Sequence, residues 1–120
     1  MTAGVRGINV YGKDIIWVDY EGCKTSDQMI QVFDDAINFL IKRNESSLVL
    51  TNFKDTFITS PFLRHVEHEA PRVAHLIKRR VFVGMNMPKK MILKGIYQSP
   101  NLDHLAFDSE QEAIEFLIKD

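Results

Sequence analysis

The segment Thr59-Ser60-Pro61 places hydroxyl side chains at a helix start, where they could bind an anion or accept a phosphoryl group. A hydroxyl residue just before a proline is typical of a helix N-terminus. The unpaired N–H groups and the positive dipole end there favour negative charge. The alternative is that the Ser60 hydroxyl only caps the helix, which contributes about 1 kcal/mol. Thr59 and Ser60 are therefore candidates for an anion site or a phosphorylation site.

The stretch that follows carries side chains of the types that bind metal ions, namely His65, His68, Glu69 and His75. His65 has the i, i+3 and i, i+4 spacing to His68 and Glu69 that places side chains on one helix face. That face would supply only two ligands, and the order differs from the His-Glu-x-x-His of zinc proteases. The polar face of an amphipathic helix explains these residues, so we predict no metal site.

No other segment matches a catalytic motif. The sequence has no Gly-rich phosphate loop, no nucleophile elbow and no Cys/His metal spacing. Cys23 is the single cysteine, and its neighbours in the sequence include no group that would activate a thiol. These observations favour a non-enzymatic protein without a cofactor.

Two basic groups, Lys78-Arg79-Arg80 and Lys89-Lys90 with Lys94, could form a patch for phosphates. Arg79 and Arg80 are expected to precede a strand and Lys89-Lys90 to open the next helix, which places the groups at opposite ends of that strand. No aromatic residues are interleaved to stack on bases, and the net charge is −1. We therefore predict no nucleic-acid partner.

The first and last predicted helices carry more apolar residues than a single buried helix face requires. Val32 and Phe39 widen the apolar stripe of the first predicted helix, and Phe116 does the same for the last. Exposed apolar area marks partner sites, and symmetric homodimers are the commonest oligomers. These three residues are candidates for an interface, while Met87 and Met91 on the third helix could line an adaptable pocket.

Strand and helix patterns alternate along the chain, and the elements that they predict position the candidate residues described above. Alternation over residues 8–11 and 15–20, with turn residues at 12–14, predicts a hairpin. Further strands are predicted over 47–53, 81–84 and 104–107, and helices begin near Thr25, Ser60, Asn86 and Ser109. Pro71 should end the second helix. The order ββαβαβαβα predicts an α/β fold with a mixed, mostly parallel five-stranded sheet and helices packed on it.

Length and composition fit a single domain over residues 1–120, with 45 % hydrophobic and 26 % charged residues. No apolar run approaches the ~20 residues of a membrane span. A lone cysteine and the lack of a secretory leader favour a cytoplasmic location. The charge is uneven, because residues 61–95 carry eight Lys or Arg and two acids, whereas residues 96–120 carry one Lys and six acids.

Four segments carry a family resemblance: residues 12–20, Leu48-Val49-Leu50-Thr51-Asn52-Phe53, Arg80-Val81-Phe82-Val83-Gly84, and residues 107–117. In order and spacing they resemble the SpoIIAA-like family, also described as STAS-like or STAS/SEC14-like, which implies a SpoIIAA-like layered domain. In STAS proteins that antagonise anti-sigma factors, a serine of an Asp-Ser-Ser-Gly turn is phosphorylated to switch partner binding. In the matching segment here, Thr59 takes the place of the aspartate and Ser60 that of the first serine. Pro61 replaces the phosphoacceptor, and the glycine is missing. A register shifted by one residue instead places Ser60 at the phosphoacceptor position.

Together these features favour a non-enzymatic protein-interaction or regulatory module that acts as a homodimer and binds another protein. An alternative is a carrier that holds a small apolar or anionic, lipid-like ligand between sheet and helices. A second alternative is a regulator switched by phosphorylation of Ser60.

Overall fold

The fold is known from a computed structural model that describes residues 3–97 and 105–119. The strands are β1 Gly4–Val10, β2 Lys13–Asp19, β3 Ser47–Asn52, β4 Ile77–Val83 and β5 Ala106–Phe107. The helices are α1 Ser26–Arg43, α2 Ser60–Glu69, α3 Met87–Tyr97 and α4 Glu110–Leu117, and two short 3₁₀ turns, Ala70–Arg72 and Ala74–Leu76, follow α2. The predicted α/β class and element order are confirmed. His104, where the last strand was predicted to begin, lies outside the described residues.

The five strands form one mixed sheet in the order β1-β2-β3-β4-β5. β1 pairs with β2 in antiparallel fashion, and the remaining neighbours are parallel. Helix α1 connects β2 to β3, and α2 connects β3 to β4, so both connections move one strand in the same direction across the sheet. Because such connections between parallel strands are right-handed, both helices lie over the same face. We call the edge where β2, β3 and β4 end the carboxyl edge, and the opposite edge the amino edge.

Apolar side chains cover both faces of the sheet, because successive residues of a strand point to opposite sides. One face packs against α1 and α2 through residues that include Ile16, Val18, Val49, Met29, Ile37 and Val66. The other face packs against α4 through Ile15, Trp17, Leu50, Val81, Val83, Ala113 and Leu117. Burial on both sides explains the consecutive apolar residues Leu48, Val49 and Leu50 in β3.

The β1–β2 hairpin turns at Tyr11 and Gly12, whereas the sequence predicted a turn over residues 12–14. Both residues have positive φ angles, 51° and 81°, and Val10 pairs directly with Lys13. Two central residues with positive φ form the type of turn that matches the twist of the flanking strands. Lys13 and Asp14 therefore belong to β2. A tyrosine with positive φ is uncommon, which is why the pattern pointed to the residues after it.

β4 begins at Ile77, so Lys78, Arg79 and Arg80 lie within the strand rather than before it. Their alternation sends Arg79 to the α4 face, where its Nη1 donates to the main-chain oxygens of Phe116, Leu117 and Lys119 at 3.1, 3.1 and 2.6 Å. These carbonyl oxygens lie at the C-terminal end of α4. The last carbonyls of a helix have no N–H partner within the helix. The negative end of the helix dipole favours a cation there. Arg79 thus fixes α4 to the sheet.

The predicted helix starts at Thr25, Asn86 and Ser109 are confirmed, and each of these side chains caps its helix. Thr25 Oγ1 accepts from the Gln28 N–H at 3.1 Å, Asn86 Oδ1 from the Lys89 N–H at 3.0 Å, and Ser109 Oγ from the Glu112 N–H at 3.2 Å. α2 ends before Pro71, as predicted, and the chain continues in the two 3₁₀ turns. None of the helices in the described part of the chain has the length and apolar composition needed to cross a bilayer.

Candidate functional site

A cavity of about 70 Å³ lies between the sheet and helices α1 and α2. Strands β2, β3 and β4 form its floor, and α1, α2 and the 3₁₀ turns form its walls. Its lining is apolar except for Tyr20, Thr51 and Arg80. Protein interiors pack closely and contain few voids larger than a water molecule. A partly open, largely apolar space between the sheet and the helices is therefore a candidate site for a small ligand.

An aromatic cluster forms the end of the cavity nearest the carboxyl edge. The rings of Tyr20 and Phe53 stack with centroids 4.7 Å apart, and Phe62 meets them edge-on at 5.3 and 6.3 Å. Phe62 reaches this position from the first turn of α2. Such ring pairs contribute roughly 0.5–1.5 kcal/mol each beyond the area they bury. The cluster gives the cavity a rigid apolar end.

Arg80 and Thr51 give the other part of the lining its polar groups. In the β3–β4 register Val49 lies opposite Arg80 and Thr51 lies opposite Phe82. Thr51 and Arg80 are therefore diagonal neighbours on the same face of the sheet. The sequence pattern predicted that Arg80 lies before the strand, as part of a basic group. Because successive residues of a strand point to opposite faces, the adjacent positions of Arg79 and Arg80 predict that their side chains lie on opposite faces of the sheet.

Met87 and Met91, the pocket candidates from the sequence, do not line this cavity. Their side chains are 65 % and 68 % exposed on α3. Lys89 lies between them in the sequence, and its Nζ donates to the main-chain oxygens of Phe53 and Gly84 at 2.7 and 3.1 Å. Residues 87 and 91 share a helix face, whereas residue 89 lies on the opposite one. The inward anchor at Lys89 thus turns both methionines outward.

The environment of Lys89 is apolar enough to disfavour its charge. Burial lowers the pKa of the Lys89 amine, and the nearby charge of Asp55 opposes this shift. The two carbonyl contacts bind the start of α3 to the residues that follow β3 and β4. Lys89 therefore has a positioning role at the carboxyl edge.

Phe57 lies in the loop between β3 and α2 and is 84 % exposed. We call Phe57, Met87 and Met91 together the carboxyl-edge surface, because all three follow the ends of parallel strands β3 and β4. Sequence reasoning missed Phe57 because it lies in no periodic element. Large exposed apolar side chains of this kind are common at protein contacts.

Thr59 is the N-cap of α2, and Ser60 is the first residue of the helix. The Thr59 hydroxyl makes no cap bond to the helix and instead lies 2.7 Å from the hydroxyl of Ser26, the first residue of α1. The starts of the two helices therefore meet at the carboxyl edge. Ser60 is exposed. The expected capping role of Ser60 is therefore wrong, because Thr59 occupies the N-cap position and its hydroxyl bonds to Ser26 instead of to the helix. Among the described residues, no cationic side chain makes a hydrogen bond to Thr59 or Ser60.

The three interface candidates all contribute to packing within this chain. Val32 is only 6 % exposed and lies in the core, which leaves it almost no surface to offer a partner. Phe39 packs against the same core, and the Phe116 ring contacts Phe107 at 5.3 Å and the Arg79 guanidinium at 5.9 Å. The wide apolar stripe of α1 therefore reflects burial between sheet and helix.

His65 and His68 each lie beside an acidic side chain, and Cys23 is buried. His65 Nε2 lies 2.6 Å from Asp34 Oδ1, and His68 Nδ1 lies 3.2 Å from Glu69 Oε2. Within the described ranges, no three His, Cys, Asp or Glu side chains come together as metal ligands. Burial, and secondarily the charge of Asp19, raises the pKa of the Cys23 thiol, which disfavours the thiolate that a nucleophile requires.

A buried polar network joins the ends of β2 and β3. Asp19 Oδ1 accepts from the Glu21 N–H at 2.9 Å and from Asn52 Nδ2 at 3.2 Å. Asn52 Oδ1 accepts from the Lys54 N–H at 2.9 Å, and Arg6 Nη2 lies 3.7 Å from Asp19 Oδ2. The carboxylate of Asp19 is thus used in holding strand ends together.

Comparisons with known proteins add no family assignment. No family model matches the sequence, and no curated protein matches it significantly. The conclusions about function therefore rest on the geometry of this chain.

Proposed function

We propose that this chain is a non-enzymatic binding protein that holds a small apolar molecule in the cavity between the sheet and helices α1 and α2. The cavity itself is the observation that carries this proposal. The carrier function was an alternative from the sequence, and the geometry favours it because the interface candidates are used inside the fold. The resemblance to SpoIIAA-like proteins is compatible with it.

An unfilled cavity lowers the stability of the fold, and a bound ligand would reverse that loss. Cavities in protein cores destabilise by about 24 cal/mol per Å³, so 70 Å³ corresponds to about 1–2 kcal/mol. Larger apolar side chains in place of Ala36 and Ala70, which line the wall, would fill the cavity and remove this loss of stability. A molecule that fills the cavity would restore the van der Waals contacts that the lining lacks, and with them the free energy of folding lost to the empty space.

Ala36→Leu is expected to block the cavity. Ala36 is 7 % exposed and lines the wall formed by α1, so a leucine side chain would occupy the ligand's space. Isobutanol, used as a neutral apolar probe, should bind the unmodified protein with a Kd on the order of 1 mM. We expect the affinity to fall at least about tenfold in Ala36→Leu, while the melting temperature is kept or raised because a void is filled.

The matched control is Ala74→Leu, which makes the same change at an exposed position outside the cavity. Calorimetric titration of the three proteins measures the affinities, and thermal unfolding checks the fold. Equal isobutanol affinity in Ala36→Leu and in the unmodified protein would contradict the proposal. So would the absence of saturable binding to the unmodified protein.

A second candidate function, association with a second copy, is favoured by the carboxyl-edge surface. Its exposed apolar residues lie beside Lys90 of α3, and α4 carries the acids Glu110, Glu112 and Glu115. Opposite charges on two helices of one chain can pair between copies in a symmetric dimer.

Phe57→Ser is expected to weaken such a dimer at least about tenfold, because a large exposed apolar side chain is removed from its centre. Tyr11→Ser is the control, since Tyr11 is 88 % exposed in the hairpin turn at the amino edge. Sedimentation equilibrium gives the dissociation constants. A monomer at all concentrations, or equal effects of the two substitutions, would argue against this candidate.

A further inference from the structure

We infer that the outer edge of β1 pairs with the same edge of a second copy, so that two five-stranded sheets join into one continuous sheet. The partner is another molecule of this chain, bound by antiparallel strand pairing around a two-fold axis. This interface is separate from the cavity and from the carboxyl-edge surface. Three features support it: the main-chain groups that β1 turns outward, the residues along the strand, and the charges on α1.

β1 lies at the edge of the sheet and pairs with β2 alone among the described strands. Its hairpin has two turn residues, so Val10 and Lys13, which flank the turn, form a hydrogen-bonded pair. Hydrogen-bonded and non-hydrogen-bonded pairs alternate along an antiparallel ladder. The main-chain groups of the even-numbered residues of β1 therefore point toward β2, whereas those of Val5, Gly7 and Asn9 point outward. Three N–H and three C=O groups are thus available to a further strand.

β1 lacks the features that usually prevent edge-to-edge pairing, such as a proline, a bulge or several charges. All seven of its residues pair with β2 in one unbroken register, and none is a proline. Arg6 is its one charged residue, and the guanidinium lies over the Trp17 ring, 5.3 Å from the ring centroid. Gly7, at the centre of the strand, is exposed and has no side chain that would shield its main-chain groups. The edge is therefore accessible to another strand.

One antiparallel register aligns two copies of β1 over their whole length. Gly7 then lies opposite Gly7 of the second copy and Val5 lies opposite Asn9, so the outward groups form about six main-chain hydrogen bonds. The register that pairs Val5 with Gly7 instead places the two Arg6 side chains opposite each other, and like charges there are destabilising. The two-fold axis therefore passes between the Gly7 residues of the two copies.

The same axis passes beside α1, because the half-buried Phe39 ring lies over Gly7. A Cβ atom on that glycine would be 3.4 Å from Phe39 Cζ. α1 packs mainly on β1 and β2. Because neighbouring strands are about 4.8 Å apart, the α1 helices of the two copies would lie about 10 Å apart, close to the usual distance of packed helices. The two helices would run antiparallel to each other across the axis.

α1 carries opposite charges on the flank that faces this axis. Asp35 and Lys42 are exposed and lie four residues before and three residues after Phe39, on its side of the helix. The other side of α1 meets α2 through Asp34. Seven residues of helix span about 10 Å, and Phe39 lies between the two charges. In the antiparallel arrangement, Asp35 of each copy therefore meets Lys42 of the other in an ion pair.

Reversal of these charges tests the pairing at exposed positions. We expect the dissociation constant of the dimer, measured by sedimentation equilibrium of the full chain, to rise at least about tenfold in Asp35→Lys and in Lys42→Glu. Each substitution sets like charges opposite each other at two symmetric places. The double variant should return the constant to within about threefold of the unmodified protein. Lys78→Glu is the matched control and should have no effect, because β2 and β3 separate its strand from β1.

Amide hydrogen exchange tests the strand pairing itself. Protection of the Val5, Gly7 and Asn9 amides should rise with protein concentration, because a second copy covers them only in the dimer. The amides of Arg6 and Ile8 point toward β2 and should be protected at every concentration. Asn9→Pro removes an outward N–H from each copy and leaves the β1–β2 ladder intact, so it should weaken the dimer at least about tenfold.

A monomer at every concentration up to about 1 mM would overturn the inference. A dimer that Phe57→Ser dissociates and the single charge reversals leave unchanged would also overturn it, because the contact would then lie at the carboxyl-edge surface. Protected outward amides in a monomer would assign the edge to a different occupant, with the same consequence. None of these results bears on isobutanol binding, so the proposed function and this inference fail separately. If Asn9→Pro does not fold, the charge reversals still decide.

Discussion

Gly84→Ala is expected to lower the free energy of unfolding by about 3 kcal/mol or more, from two additive causes. Gly84 has a φ of 76°, a conformation that costs roughly 1–2 kcal/mol for a residue with a side chain. A methyl group there would also contact the backbone nitrogen of Lys54 and lie 2.6 Å from its Cα. Backbone atoms cannot rotate away, so the strand ends must separate.

Gly12→Ala is the matched control for this prediction. Gly12 has a similar φ of 81°, and no atom lies within 4 Å of an added Cβ. Substitution of Gly12 should lower the free energy of unfolding only by the cost of the left-handed backbone conformation, about 1–2 kcal/mol. Urea unfolding of both variants gives the two free energies. A Gly84→Ala protein no less stable than Gly12→Ala would show that the close approach between residues 53–54 and residue 84 is not maintained in solution.

Phe62→Ala is expected to cost about 3–5 kcal/mol, the range for removal of a fully buried aromatic ring. Phe62 is 1 % exposed and makes ring contacts with Tyr20, Phe33 and Phe53. It joins α2 to both α1 and the sheet, and the space left by its ring would add to the existing cavity. The loss therefore combines burial, aromatic contacts and an enlarged void.

Phe57→Ala is the control for Phe62→Ala, because it removes the same ring from an exposed loop position five residues earlier. Its free energy of unfolding should stay within about 0.5 kcal/mol of the unmodified protein. Chemical denaturation followed by tryptophan fluorescence or circular dichroism compares the two variants. Similar losses for both would contradict the assignment of Phe62 to the core and of Phe57 to the surface.

Much of the fold could be predicted from periodicity because its elements obey local rules. The hydroxyl caps at Thr25 and Ser109 and the proline at position 71 each act within one turn of chain, so their effects are visible in the sequence. The start of β4 was not visible in the same way. Its second to fourth residues are charged, and the role of Arg79 depends on the end of α4, nearly forty positions away.

The candidate site was less predictable for a physical reason. A cavity is a space left between side chains of β2, β3, β4, α1 and α2, and no residue pattern encodes how completely those elements fill it. Met87 and Met91 suggested a pocket by residue type, yet the Lys89 anchor determines which way α3 faces. Val32 suggested a partner surface, yet α1 buries a broad stripe. Each difference arises from tertiary contacts that override a local pattern.

The measurement that tests the proposed cavity site most directly is a titration with isobutanol followed by methyl NMR of the full chain. If the ligand occupies the cavity, the methyl signals of Val49, Val73 and Ile77 should shift and saturate together, because these residues line it. Ile15 and Val81 should remain unchanged, because they lie in the core on the opposite face of the sheet. Absence of saturable shifts, or equal shifts on both faces, would contradict the assignment of the cavity as a binding site.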